Sequence, residues 1–351
     1  MHADKAITLC QTAVWEASTV TTVAGSASGL SGSTADMLRL PWAVFVDNTS
    51  AVYVSDWENN RVQKWLANAS NGTTVAGGSP GKALNQLTDR ISVDANGSVY
   101  VVDSINARVM KWASNSAAGA NGTIVAGGNG TGSEGNQLNN PDGLFVEAAT
   151  GVIWIADTNN HRIVKWSSPS ASPVVYATTQ STLHGYWNTT GVTVASGYGL
   201  GASQLNYPWD VAIDSNNYIY VADYNNCRIQ RWLVGNATGV TVAGNTSFCG
   251  STEAQLSRPT SVVVQSSGVL YISDFGNSRI QRWTNGASSG TTVATNIVSY
   301  GVYVDNSGTI YASDWNSHQV LRWPNSGGIT NVIIAGGNGQ GSASHQLSYP
   351  R

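Results

Sequence analysis

The chain has 351 residues, long enough for a large core, and 41% of them are hydrophobic, with 13 Trp and 14 Tyr. Only 11% are charged, against about a quarter in an ordinary soluble domain; disordered chains pair high charge with few large apolar side chains, so disorder is excluded. A net charge of -3 gives no electrostatic reason for a nucleic-acid or anionic-membrane partner, and no apolar run approaches the ~18 residues of a membrane span.

Residues 1–20 read as a lead-in with one cation, Lys5, and without the regions of a secretory signal. A Thr-Val-Ala-Gly run follows at 21–25. Six related segments then succeed one another at 53–65, 100–112, 154–166, 220–232, 271–283 and 311–323. Each opens on two or three β-formers, passes through Asp-x-x-Asn-x-Arg, and ends at Trp65, Trp112, Trp166, Trp232, Trp283 or Trp323. Their aspartates are Asp56, Asp103, Asp157, Asp223, Asp274 and Asp314, spaced 40 to 66 residues apart, close to the blade length of a propeller.

Each segment sits in one frame. An alternating run precedes it, as at 41–47, 141–147 and 208–214, with the period of a strand. A further Thr-Val-Ala-Gly-like run follows at 73–78, 123–128, 192–197, 240–245, 291–296 and 332–337. Sustained helical periodicity is absent. Each unit therefore predicts four short strands, and six such units around a ring make a single all-β domain over 1–351, a six-bladed β-propeller of four-stranded antiparallel blades. Residues 338–351 read as the start of a further repeat, and the abrupt ends as those of a piece of a longer protein. The runs at 21–25 and 332–337 compete for the outer strand of the last blade. Blade six also departs from the motif, with Ser317 and Gln319 where the other units have Asn and, five residues after the Asp, Arg. A blade assembled across the ring closure would account for this.

The Asp-x-x-Asn-x-Arg core with its following Lys/Arg-Trp resembles the NHL-repeat family of six-bladed propellers, over nearly the whole chain. Fold does not imply function, and the resemblance implies different activities in different branches. In the amidating-lyase branch it implies a zinc held by histidines at the head of the inner strands. Those positions here are Trp42, Ile91, Asp142, Trp209, Thr260 and Tyr300, with no His among them, while His161 and His318 fall on opposite blades. In tripartite-motif relatives it implies RING and B-box segments, which this sequence does not contain. Some relatives bind RNA through a basic face. Of the 17 Lys and Arg, the motif arginines and the cations before the motif tryptophans leave Lys5, Arg39, Lys82, Arg90, Arg258 and Arg351. Arg39, Arg90 and Arg258, ahead of blades one, two and five, form at best a weak cluster for phosphate.

Recurrence separates structure from site. Asp56 with Arg61, Asp103 with Arg108, Asp157 with Arg162, Asp223 with Arg228, Asp274 with Arg279, and Asp314 repeat because the turn must be built six times; Asp binds nearby amides and Arg pairs with it. What varies is the head of each inner strand, which opens on the upper face. Trp42, Asp142, Trp209, Asp210, Thr260 and Tyr300 therefore line the expected ligand site, suited to a cation, a sugar or a peptide side chain. The bland alternative is aromatics plugging the channel and carboxylates capping turns. Asp142 and Asp210 with carbonyls would suit Ca²⁺ in the channel, the one cofactor to consider. No nucleophile elbow, phosphate loop or zinc-finger spacing occurs.

Cys227 and Cys249 both fall on the upper face, so a bond between them is feasible; three free thiols, Cys10 included, are equally compatible. Asn-x-Ser/Thr sequons occur at Asn48, Asn68, Asn71, Asn96, Asn121, Asn129, Asn188, Asn236 and Asn245. All but Asn129 and Asn245 fall in turns of the lower face, which with the low charge favours an extracellular or cell-surface glycoprotein. Residues 167–191 are the one long blade-specific insertion. The expected function is a non-catalytic scaffold binding protein, peptide or glycan through its upper face. The alternatives are a propeller enzyme of metal-assisted lyase or lactonase type and an RNA-binding or substrate-recruiting domain of a larger protein.

Overall fold

The computed structural model describes residues 24, 26, 31–39, 41–47, 49–78, 90–147, 150–167, 190–245, 248–305, 307–323, 331–336, 339–340, 347 and 350. Six four-stranded antiparallel sheets follow one another along the chain. Blade 1 comprises Pro41–Val46, Val52–Asp56, Arg61–Trp65 and Thr73–Gly77; blade 2, Ile91–Val93, Val99–Asp103, Arg108–Trp112 and Thr123–Gly127. Blade 3 comprises Pro141–Val146, Ile153–Asp157, Arg162–Trp166 and Val192–Ser196; blade 4, Pro208–Ile213, Tyr218–Asp223, Arg228–Leu233 and Val240–Gly244. Blade 5 comprises Pro259–Val264, Leu270–Asp274, Arg279–Trp283 and Thr291–Thr295; blade 6, Val302–Val304, Ile310–Asp314, Gln319–Trp323 and Val332–Gly336. In each, strands pair in chain order, and the first strands of successive blades touch around the axis. The arrangement is a six-bladed β-propeller.

The outer strand of blade 6 is the C-terminal run, Val332–Gly336, paired with Gln319–Trp323. The expectation that blade 6 departs from the motif because it is assembled from both chain ends is therefore not met. The 21–25 run, apart from Ala24, and the 167–191 insertion, apart from its ends, lie outside the described residues, as do all of residues 1–20, Cys10 among them, and most of residues 338–351. Within the last segment Gln340 bridges Leu347 in the same isolated parallel pairing as Ser31–Leu38, Thr131–Leu138 and Tyr198–Leu205.

One knot, built from the motif, fixes blades 1, 3, 4 and 5. In blade 3, Asp157 Oδ1 accepts from the Asn139 amide at 2.7 Å, and Oδ2 accepts from Asn160 Nδ2 and Arg162 Nε at 2.8 and 2.7 Å. Asn160 also donates to the Gly132 carbonyl, while the guanidinium of Arg162 donates to the carbonyls of Ser133, Glu134 and Gln137. Five side-chain bonds thus sew the incoming linker to its own blade. Blades 1, 4 and 5 repeat them through Arg61, Arg228 and Arg279. In blades 1, 3, 4 and 5 the hairpin closing the knot is a single 3-10 turn ending in a left-handed residue, as His161 at φ 53° and Cys227 at φ 54°; such backbone costs a non-glycine residue about 1 kcal/mol or more, so the knot must hold it.

The motif tryptophans pack between blades. Trp112 joins a cluster with Tyr53, Val62 and Ala76 of blade 1, and Trp166, Trp232, Trp283 and Trp323 repeat this at the next four interfaces. All five are no more than 2% exposed, and each such side chain contributes about 4–6 kcal/mol of apolar transfer as an upper estimate. The ring lies flat over the glycine that opens the outer strand. A Cβ at Gly122 would fall 2.6 Å from the Trp112 ring, so the sequence keeps glycine there.

The lower turns carry a second repeated device. Asp47, Asp94, Asp214 and Asp305 accept from turn amides and from the hydroxyls of Tyr53, Tyr100, Tyr220 and Tyr311. Lys64 and Lys111 sit over the Tyr53 and Tyr100 rings at 5.0 and 4.8 Å. Lys64 and Lys111 are therefore engaged on the lower side.

Candidate ligand site at the upper mouth

Bulges aim the mouth residues. In blades 1, 3, 4 and 5 the pairing of the first strand slips just after its leading proline, as between Pro208↔Asp223 and Asp210↔Ala222. A slip of this kind bends the strand and re-aims the residue inside it, and proline is tolerated at a strand's first position. Trp42, Asp142, Trp209 and Thr260 occupy these slips.

Their environments differ. Trp209 stands half-exposed between Tyr224, at 4.7 Å between ring centroids, and Tyr300, at 6.0 Å. Tyr300 meets Phe275 at 4.8 Å and Trp315 at 6.0 Å. Blade 1 adds a separate pair, Trp42 and Trp57, at 5.6 Å. Thr260, by contrast, is fully buried, and its hydroxyl is used by Ser273 and the Ser299 carbonyl. It ties blade 5 to blade 6 and offers no accessible group to a ligand, which corrects the expectation that it lines the site.

The polar side of the mouth belongs to blades 2 and 3. Arg90 Nε donates to Asp142 Oδ1 at 2.9 Å, joining the two blades, and the same guanidinium acts on Asp210. Asp210 accepts from its neighbour's amide, Val211, at 3.0 Å and from the Val262 amide of blade 5 at 3.2 Å. Burial pushes its carboxyl above the usual carboxylate range, partly offset by Arg90, by Ser261 and by those amides. Gly143 makes this grouping possible. A Cβ there would come within 2.9 Å of the Trp209 carbonyl and 3.0 Å of Asp210 Cα, so only glycine lets blades 3 and 4 close at this height. Of the residues expected at the mouth, the structure brings Trp209 and Tyr300 into one aromatic group and Asp142 and Asp210 to one arginine.

Trp57, Tyr224, Phe275 and Trp315 are the residues that sequence reasoning passed over. Each directly follows the motif aspartate, inside the segment read as purely structural. At the same position blades 2 and 3 have Ser104 and Thr158, whose hydroxyls donate to the carbonyls of Pro141 and Pro208. Variation at this one motif position, aromatic in blades 4, 5, 6 and 1 and hydroxyl in blades 2 and 3, was the available signal. The described mouth therefore has an aromatic arc and a polar pole.

Two of the three linker arginines are spent on carboxylates, Arg39 on Glu58 and Arg90 on Asp142. Cys227 and Cys249 are joined in a disulfide, with Cα atoms 5.2 Å apart, that links the blade 4 hairpin to the linker into blade 5. Among the described residues no group of three or more His, Cys, Asp and Glu is placed to hold a metal ion. A recess among Glu147, Trp154, Lys165 and Asn216 opens on the lower face. Its polar groups serve one another, Glu147 accepting from Trp154 Nε1 and Lys165 lying over the Trp154 ring.

Fold and mouth together define a six-bladed propeller with one asymmetric end. The NHL repeat family profile matches residues 138–166, 205–232 and 256–283, so the chain carries NHL repeats in blades 3, 4 and 5 of that propeller. No curated protein matches the sequence. Among solved structures, a streptogramin B lyase is 14% identical at a TM-score of 0.60, over 86% of this chain and 84% of that one. A catalytically inactive virginiamycin B lyase from Staphylococcus aureus with quinupristin is 13% identical at 0.56, over 84% of each chain. A nidogen/laminin complex is 16% identical at 0.48, over 73% of this chain and 81% of that one. At 13–14% identity the likeness to the two lyases is one of fold alone.

Proposed function

We propose that the chain is a non-catalytic recognition module that seats a protein, peptide or glycan on its upper mouth. One observation carries this reading. The motif aspartates and tryptophans recur from blade to blade, while the mouth residues vary around the ring and gather half-buried aromatics on one side. Half-exposed aromatic groups are what interfaces are built on. RNA binding is disfavoured because Arg39 and Arg90 are already neutralised. Calcium is disfavoured at Asp142 for the same reason, since a guanidinium holds the carboxylate that would ligate it.

A secreted or cell-surface setting fits the disulfide. It also fits the sequon residues Asn68, Asn71, Asn96, Asn121 and Asn236, all exposed in lower turns, where glycans would leave the upper mouth clear. Asn48 and Asn188 lie outside the described residues. The competing reading is an enzyme of the lyase type named for the neighbouring structures, and Asp210, with its raised carboxyl, is the group it would use.

Thermal-shift screening of peptides and oligosaccharides tests the choice, run on the wild type, on Trp209→Leu and on a lower-face control, Leu66→Ser. The expected result is a binder whose shift disappears in Trp209→Leu and survives in the control. A binder lost only in Leu66→Ser, or a ligand that is chemically turned over and spared by Asp210→Asn, would overturn the reading.

A further inference from the structure

We infer that the upper mouth is a platform for a neutral oligosaccharide, laid across the aromatic arc with its hydroxyls turned to Arg90 and Asp142. This rests on the recognition reading above and names its ligand. Three observations favour sugar over the other candidates.

The first is ring spacing. Neighbouring rings of the arc lie 4.7 to 6.0 Å apart and are tilted to one another by 38° to 73°. A planar group held between two rings needs them about 7 Å apart, twice the contact distance of carbon on carbon. An aromatic side chain or an ammonium therefore has no slot between these rings. The residues themselves are half-buried, so a ligand would lie over the rings rather than between them. A pyranose does this well, because its C–H face carries slight positive charge and a π face slight negative charge.

The second is the pole. A guanidinium carries five donors in a fixed fork and a carboxylate only acceptors. Held side by side at 2.9 Å, with side chains 28% and 29% exposed, they present donors and acceptors in adjacent positions. A sugar hydroxyl both donates and accepts, and vicinal hydroxyls repeat that pair at matching intervals.

The third is charge. The arginines Arg39 and Arg90 are each paired with a carboxylate, and Asp210 is engaged by two backbone amides beside Arg90. An acidic ligand would have to compete with Glu58 and Asp142 for those cations, and a basic one with Arg90 for those carboxylates. A neutral ligand competes with neither. The arc ends where Ser104 and Thr158 replace rings with hydroxyls bonded into the neighbouring blade, which sets the direction of the ligand from blades 4–6 toward blades 2–3.

Affinity electrophoresis and calorimetry with cellohexaose, xylohexaose, mannohexaose and chitohexaose test this, with heparin and a lysine-rich peptide alongside. At least one neutral hexasaccharide is expected to bind, with affinity unchanged within about twofold when salt is raised to about 1 M. Trp209→Leu should weaken it by about tenfold, the loss of one stacked ring, and Trp209→Phe should restore most of it at an unchanged melting temperature. Arg90→Gln should change which hexasaccharide is preferred. Binding of heparin alone, no hexasaccharide bound by the folded protein, or binding indifferent to Trp209→Leu would overturn the inference. If the lysine-rich peptide binds in a Trp209-dependent way and no hexasaccharide does, the sugar assignment falls and the recognition reading stands. If every ligand found ignores the mouth, both fall.

Discussion

In blade 5 the guanidinium of Arg279 donates to Asp274 at 2.7 Å and to the carbonyls of Ser251, Thr252 and Gln255 at 2.8 to 2.9 Å. In blade 6 Gln319 stands in its place and donates to Asp314 at 3.0 Å. The carboxylate has the same task in both, accepting the amide of Ser257 in one and Val298 in the other. What differs is the linker. Residues 245–258 lead into blade 5, whereas residues 296–301 suffice for blade 6, where Ser278 and Val298 carbonyls accept the amides of Ile297 and Trp315 directly. The pair teaches that the arginine serves the long linker and the aspartate serves the turn. Blade 6 has neither the arginine nor the long linker.

The largest expected effect breaks that comparison on the blade 5 side. Arg279→Leu strands a buried carboxylate and three carbonyls, and should cost about 3–5 kcal/mol in urea unfolding. Opening the disulfide comes next. Cys249→Ser releases a crosslink spanning 22 residues and should lower stability by about 3 kcal/mol. Because Arg279 grips the same linker, the double variant should lose less than the sum, as a double-mutant cycle would show. Gln319→Leu removes one bond from Asp314 and should cost about 1–2 kcal/mol. Gln319→Arg should bring no gain in the urea midpoint, since the short linker lacks the long-loop segment whose carbonyls Arg279 grips in blade 5; a gain would show that the arginine serves the aspartate after all.

The smallest effect concerns how blades 4 and 5 are joined, by the Asp210 carboxylate, compared with the Thr260 hydroxyl between blades 5 and 6. Burial raises the Asp210 carboxyl above 3.8, so the folded chain holds this proton more tightly than the unfolded one. Its contribution to stability therefore declines as pH rises from about 4 through the raised folded value, and then levels off. Asp210→Asn removes the decline, so its urea midpoint should gain on the wild type over that window. A difference independent of pH would show that the carboxyl is not perturbed in the fold.

The architecture was legible because its causes recur. Six knots, each needing the same Asp and a partner five residues on, impress a period on the sequence that survives Ser317 and Gln319. The mouth was only half legible. Its first layer, Trp42, Asp142, Trp209 and Tyr300, varies openly between blades. Its second layer, Trp57, Tyr224, Phe275 and Trp315, lies inside the motif, where the eye is drawn to what stays constant. Thr260 was misplaced because position in a repeat fixes where the backbone goes, while size decides whether a side chain reaches the surface. The Arg90–Asp142 pair joins residues 52 apart in sequence, and no local pattern encodes it.

The two layers of tryptophan have an optical consequence. Trp65, Trp112, Trp154, Trp166, Trp232, Trp283 and Trp323 are shielded to 2% exposure or less, whereas Trp42, Trp57, Trp209 and Trp315 are half-exposed at one end of the disc. Fluorescence of these described tryptophans should divide accordingly into a blue-shifted fraction that acrylamide barely reaches and a red-shifted fraction that it quenches; Trp15 and Trp187 lie outside the described residues. Among the described tryptophans, a molecule settling on the mouth covers the second fraction, so the protein carries its own reporter for whatever occupies it.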